Sequence, residues 1–151
     1  MIRDALKSDA KEIASLLSDF ADEIFKLTNQ SINNDKKQIN ELFDKYLDNK
    51  FRAFVYKKEN KIIGFITFIE AFSLYAKGEY IIITELYVSQ KYRNKNIGKE
   101  LLAEVINLAK KNNKKTIELT TPPLPQFQKS LDFYLKNGFK ITGGKKVKLD
   151  I

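Results

Sequence analysis

The sequence contains no cysteine and no histidine. The first absence removes a disulfide frame, a thiol nucleophile and thiolate metal ligands; the second removes serine–histidine pairs and imidazole ligands. No metal site is expected. Any acid–base chemistry must therefore come from Asp, Glu, Lys or Tyr. Long apolar runs are missing too: none approaches the roughly 20 residues of a membrane span, and no basic segment followed by an apolar one opens the chain. The expectation is a cytoplasmic protein without a membrane partner. There is no internal repeat, low-complexity tract or linker, so residues 1–151 are read as a single domain.

What is present is an ordinary globular balance, 43% hydrophobic and 30% charged residues over 151 positions, enough for one sizeable core. Lys+Arg 27 against Asp+Glu 19 gives a formal charge of +8, which favours anionic or phosphorylated ligands. Most of that excess is lysine scattered along the chain, the pattern of a solvated surface. A nucleic-acid-binding module is disfavoured, because no such motif occurs and the aromatics fall in apolar stretches rather than between Lys and Arg.

Periodicity gives the element order. A strand near Arg3 leads to a helix opened by Ser8 or Asp9, with Glu12 in capping-box position and an apolar stripe of Ala10, Ile13, Leu17, Phe20, Ile24 and Leu27. A second helix after Asn34 and Asp35 carries Ile39, Leu42, Phe43, Tyr46 and Leu47. "FRAFVYKKENKIIGFITFIEAF" reads as two strands around a tight turn at residues 58–60. "EYIIITELYVS" is a third strand, apolar enough to predict burial on both faces. A helix with Ile97, Leu101, Leu102, Val105, Ile106 and Ala109 inward follows, then the strand "KTIELT", a proline-rich break at residues 122–125, and the helix "QKSLDFYLKNG" stopped by Gly138. "FKIT" and "KVKLDI" around Gly143 and Gly144 predict a closing hairpin. The order β-α-α-β-β-β-α-β-α-β-β describes an α/β fold with a mixed, mostly antiparallel central sheet flanked by helices.

Between the third long strand and its helix lies "QKYRNKNIGKELL". A strand, a glycine-bearing loop and a helix start together provide unpaired amides and a partial positive charge, to which Arg93, Lys95 and Lys99 add full charges. The spacing matches neither common nucleotide fingerprint. On chemistry alone it is either a solvated basic turn or a cradle for pyrophosphate.

"ITELYVSQKYRNKNIGKELL" resembles the acetyl-coenzyme A binding segment of the GNAT family of N-acetyltransferases, in which a strand ending in a hydrophobic-x-Val step is followed by Gln/Arg-x-x-Gly-x-Gly/Ala at a helix start. Arg93 to Gly98 match, with Asn96 in place of the first glycine. "SLDFYLKNGF" resembles the family's Ala-x-x-Phe-Tyr-x-x-x-Gly-Phe block at the usual distance downstream, and the resemblance extends over essentially the full chain. It implies that main-chain groups of Arg93, Asn94, Lys95, Asn96, Gly98 and Lys99 hold the coenzyme A pyrophosphate. It also implies that Leu86 and Val88 contribute backbone groups to the pantetheine arm. Asn is the residue other than Gly that best tolerates a left-handed backbone, so Asn96 is compatible with the turn. A second departure is Phe127, where many relatives carry Asn.

Acetyl transfer from a thioester to an amine needs a proton acceptor, stabilisation of the carbonyl oxygen and a protonated leaving thiol, none of which requires a metal. Glu85, the one acid between Tyr80 and Val88, is the candidate base; the alternative is a surface carboxylate on the exposed side of the strand. Tyr134 matches the family tyrosine that reaches the thioester sulfur and is the candidate acid. The resemblance implies acetyl-coenzyme A as donor and a primary amine, on a small molecule or peptide, as acceptor, and it allows a homodimer. Residues of the second helix, Phe72–Tyr75 and the segment after Thr120 are expected to line the acceptor pocket. A catalytically weak coenzyme A-binding or regulatory protein on the same fold is the alternative.

Overall fold

Five strands form one sheet in sequence order: Ile2–Asp4 (β1), Arg52–Lys58 (β2), Lys61–Ser73 (β3), Gly78–Val88 (β4) and Ile117–Leu119 (β5). All neighbours are antiparallel except β4 and β5, which run parallel. The computed structural model describes residues 1–151 and divides into two compact units, Met1–Thr120 and Thr121–Ile151. The first holds the sheet and the helices Ala10–Thr28 (α1), Lys36–Tyr46 (α2) and Ile97–Lys111 (α3); the second holds Gln128–Lys136 (α4).

In the first unit, helices cover both faces of the sheet. On one face Ile13 and Leu16 of α1 and Phe43 of α2 pack with Val55, Phe65 and Tyr87. Packed on the sheet's other side, α3 buries Ile97, Leu101, Leu102 and Val105, with Leu101 and Val105 fully buried. Burial of each such side chain stabilises the fold by roughly 1.5–3 kcal/mol. Asp35 caps α2 by accepting from the amides of Lys37 and Gln38. The β2–β3 turn is tight, with Glu59 and Asn60 both left-handed at φ 48° and 63°. In the second unit Gly138, at φ 92°, follows the end of α4, the stop its position in the sequence predicts.

Three expectations change. Glu12 does not close a capping box; its carboxylate accepts the Ile62 amide at 2.9 Å and ties α1 to β3. Strand β4 meets the expected two-face burial only in part: Ile81 and Ile83 are buried on one face and Tyr87 on the other, while Tyr80, Ile82, Leu86 and Val88 are half-buried. Residues 139–151 form no strands, so the closing hairpin is absent. Its apolar residues Ile141, Val147, Leu149 and Ile151 are exposed, among Lys140, Lys145, Lys146 and Lys148. A hairpin that buries no apolar face does not offset the chain entropy of forming it.

Candidate active site

The register of β4 against β3 controls where Glu85 points. Thr67 faces Glu85 and Phe68 faces Ile83, so Thr84 is an extra residue, a β-bulge. Because Thr67 and Phe68 lie on opposite faces of β3, Ile83 and Glu85 also lie on opposite faces, although they are two residues apart. The bulge thus turns Glu85 to the face covered by α1 and α2, together with Tyr87. Glu85 is half-buried, and its carboxylate accepts a hydrogen bond from the Thr67 hydroxyl, which lies 2.8 Å from that of Thr84. Thr67 itself is buried, so this bond fixes the carboxylate from the sheet side.

Past the bulge, β4 loses its second neighbour within this unit. Strand β5 pairs only with Ile81–Ile83. The Ser89 amide donates to the Ile63 carbonyl of β3, so in the alternating antiparallel ladder Tyr87 and Glu85 also bond towards β3. Leu86 and Val88 therefore direct their main-chain groups to the side that β5 does not reach. The Val88 carbonyl accepts from Arg93 Nε at 2.8 Å.

The loop beyond β4 makes one 3-10 turn at Gln90–Tyr92 and then enters α3 through two left-handed asparagines, Asn94 at φ 60° and Asn96 at φ 62°. Asn96 is thus in the conformation its place in the motif requires. Asn96 caps α3 with no side-chain bond, and the first helical bond runs from the Glu100 amide to the Asn96 carbonyl. The amides of Ile97, Gly98 and Lys99 are left without helical partners. A left-handed residue followed by a right-handed one turns successive N–H groups to one side, a geometry that attracts anions. Gly64 supports this arrangement: a Cβ there would lie 3.1 Å from the Tyr87 carbonyl and 3.4 Å from Ile97, so its lack of a side chain lets the start of α3 sit close on the strands. Asn94, Lys95 and Lys99 are exposed, with the Lys95 ammonium over the Tyr92 ring. Replacing Asn96 by Gly removes the left-handed strain and costs little at a cap. A melting curve of Asn96→Gly should therefore lie close to that of wild type.

Arg93 departs from the picture of a free phosphate-binding cation. Its guanidinium binds both oxygens of Glu23 on α1, at 2.8 and 3.0 Å, and lies over the Tyr87 ring. The Tyr87 hydroxyl donates to the same carboxylate at 2.6 Å. Burial, and then Glu23, push the Tyr87 phenol well above its ordinary value, so it remains a donor. Beside this cluster an open groove of about 430 Å³ is lined by Asp19, Asp22, Glu23 and Lys26 of α1 and by Tyr87, Ser89, Gln90 and Lys91. Neither α2 nor Phe72–Tyr75 lines it; Phe72, Leu74 and Tyr75 are exposed.

In the second unit Tyr134 is buried, with its ring 5.1 Å from Phe133 and 5.6 Å from Phe139 in edge-on contact. Burial pushes its phenol up to about 12. Phe127 stands at the N-cap of α4 and makes no side-chain cap bond. No group of acidic residues is placed to hold a metal ion.

Sequence reasoning missed Thr67, Glu23 and Tyr87. A threonine inside an apolar strand was the available signal for the first. The other two gave none, because their pairing joins residues 64 positions apart.

The model of the acetyltransferase (GNAT) family matches residues 15–139. No curated protein matches the sequence. Among solved structures, the ribosomal-protein-alanine N-acetyltransferase of Brucella melitensis biovar Abortus 2308 is 19% identical with a TM-score of 0.77, covering 99% of each chain. A predicted acetyltransferase with acetyl-CoA from Clostridium acetobutylicum is 21% identical with a TM-score of 0.77, over 99% of this chain and 95% of that one. An aminoglycoside acetyltransferase from an uncultured soil metagenomic sample, in complex with trehalose, is 21% identical with a TM-score of 0.71, over 99% and 96%. At these identities the likeness is one of fold.

Proposed function

This chain belongs to the acetyltransferase (GNAT) family, and on that premise we propose that it is an N-acetyltransferase, a single functional domain over residues 1–151, moving acetyl from acetyl-coenzyme A to a primary amine of a small molecule or peptide. The observation that carries the reading is the coincidence of three features in one short segment. The bulge at Thr84 orients a carboxylate, the β4 edge is open beyond Ile83, and unpaired amides follow at the start of α3.

The residues fit the donor. Leu86 and Val88 offer main-chain groups for an amide-bearing arm, while the amides from Asn94 to Lys99 and the charges of Lys95 and Lys99 suit a pyrophosphate. Arg93 contributes its backbone, since its side chain is engaged with Glu23. Acetyl-coenzyme A supplies the activated acyl group and a thiol leaving group. Glu85, oriented by Thr67, takes a proton from the acceptor's ammonium so that its nitrogen lone pair is free. The Val88 amide donates towards the acetyl carbonyl oxygen.

Tyr134 is assigned the proton delivered to the departing sulfur. With its phenol at about 12 it is protonated throughout the neutral and mildly alkaline range, so no loss of activity from this group is expected until pH approaches that value. Tyr134→Phe keeps the ring and its edge contacts. It should lower turnover by about tenfold, at the weaker end for general-acid catalysis because the thiol is already a fair leaving group. Melting temperature and coenzyme A affinity should change little. Normal turnover would remove Tyr134 from the mechanism, and a large drop in melting temperature would make it a packing residue only.

A catalytically weak coenzyme A-binding protein on the same fold remains the second reading, favoured by Asn96 and Phe127 where the family pattern has Gly and Asn. Coenzyme A binding without turnover over a panel of amines distinguishes it from the first.

A further inference from the structure

Glu23 sits on α1, and acetyl transfer has no step that calls for a carboxylate there. It is nonetheless the point at which three elements meet. Its side chain is 14% exposed, and one of its oxygens accepts from both the Tyr87 hydroxyl of β4 and the Arg93 guanidinium of the loop, while the other accepts from Arg93 alone. Arg93 spends its remaining reach on the Val88 carbonyl, 2.8 Å from Nε, with the guanidinium carbon 5.2 Å from the centre of the Tyr87 ring. A planar guanidinium whose Nη2 donates to a carboxylate while its Nε donates to a main-chain oxygen has little rotational freedom left.

Two consequences follow for the open edge of β4. The start of the loop is fixed to the end of the strand, because Arg93 and Val88 are joined side chain to backbone across five residues. The Val88 carbonyl, an acceptor on that edge, is occupied, so the residue presents its N–H without a competing acceptor beside it. We propose that Glu23 is a positioning residue for coenzyme A: by holding Arg93 against the Val88 carbonyl, it sets the main chain of the Val88–Asn96 segment in the geometry that receives the pyrophosphate and the pantetheine arm. This rests on the acetyl-coenzyme A reading above.

The opposing account is that Arg93 binds phosphate directly and Glu23 merely holds its charge in reserve. The two differ in sign. If Arg93 is a phosphate ligand, Glu23→Gln releases it and coenzyme A binds more tightly. If Glu23 positions the loop, Glu23→Gln weakens binding, by about tenfold for a coupled contact of this kind. Arg93→Lys keeps the charge but cannot span the carboxylate and the Val88 carbonyl together, so it should lose a similar factor.

The test is a double-mutant cycle on coenzyme A dissociation constants by calorimetry, using wild type, Glu23→Gln, Arg93→Gln and the double variant, with Arg93→Lys alongside. The expected result is about tenfold weaker binding in each single variant and about tenfold, rather than about a hundredfold, in the double. The KM for acetyl-coenzyme A should rise by a similar factor while the melting temperature changes little, which separates positioning of the loop from a general loss of packing. Unchanged or tighter binding in Glu23→Gln, additive losses in the double variant, or wild-type affinity in Arg93→Lys each overturns the proposal. Arg93→Lys lies outside α1 and serves if Glu23→Gln fails to fold. Absence of coenzyme A binding in the wild-type protein would instead overturn the acetyl-coenzyme A reading itself.

Discussion

Glu85→Gln should lower turnover by about a hundredfold or more near neutral pH, while coenzyme A binding and thermal stability change little. The amide has the shape of the carboxylate and can still accept the Thr67 hydroxyl that orients it, so the packing around the bulge is preserved. What is lost is the capacity to take a proton from the acceptor's ammonium. The deficit should therefore shrink as pH rises and free amine becomes available without help. Turnover of both proteins measured across the neutral and alkaline range checks this: a gap that narrows with pH identifies the base, and a wild-type rate in the variant would make Glu85 a structural partner of Thr67.

Gly98→Val should weaken coenzyme A binding by about tenfold to a hundredfold, the worth of one hydrogen bond to a charged group. Gly98 lies in the first turn of α3, where its amide has no helical partner and a phosphate oxygen would approach the main chain. Valine there places two methyl groups against that oxygen. The fold should not suffer, since Val is no worse than Gly inside a helix. Calorimetry against coenzyme A together with a melting curve separates the outcomes. Unchanged affinity would remove the loop from the binding site, and a marked fall in melting temperature would show that the glycine serves packing.

The parts of the site that follow from local rules were legible in the sequence. The left-handed Asn96, the Asp35 cap, the tight turn at Glu59 and Asn60 and the stop at Gly138 each express the backbone preference of one residue, and the structure has them all. Strand β4 is the opposite case. Strict alternation along "YIIITELYV" groups Ile81, Ile83, Glu85 and Tyr87 on one face, and only the cross-strand register reveals the extra residue at Thr84 that parts Ile83 from Glu85. A bulge is a property of a pair of strands, not of one. Glu23 was illegible for a similar reason, because its meaning depends on Arg93, 70 residues away. The predicted closing hairpin shows the limit from the other side: alternating Val147, Leu149 and Ile151 satisfy a strand pattern, yet in the structure they bury nothing and form none.

Release of free thiol from acetyl-coenzyme A, measured over polyamines, aminoglycosides, amino acids and peptide N-termini, decides whether the protein passes acetyl to an amine with the help of Glu85. The protein has no cysteine, so a thiol reagent reports coenzyme A without background from the chain. Thiol release should depend on the presence of at least one amine class and fall about a hundredfold in Glu85→Gln. Thiol release that is independent of any amine, or that proceeds equally fast without the Glu85 carboxylate, would overturn acetyl transfer assisted by Glu85.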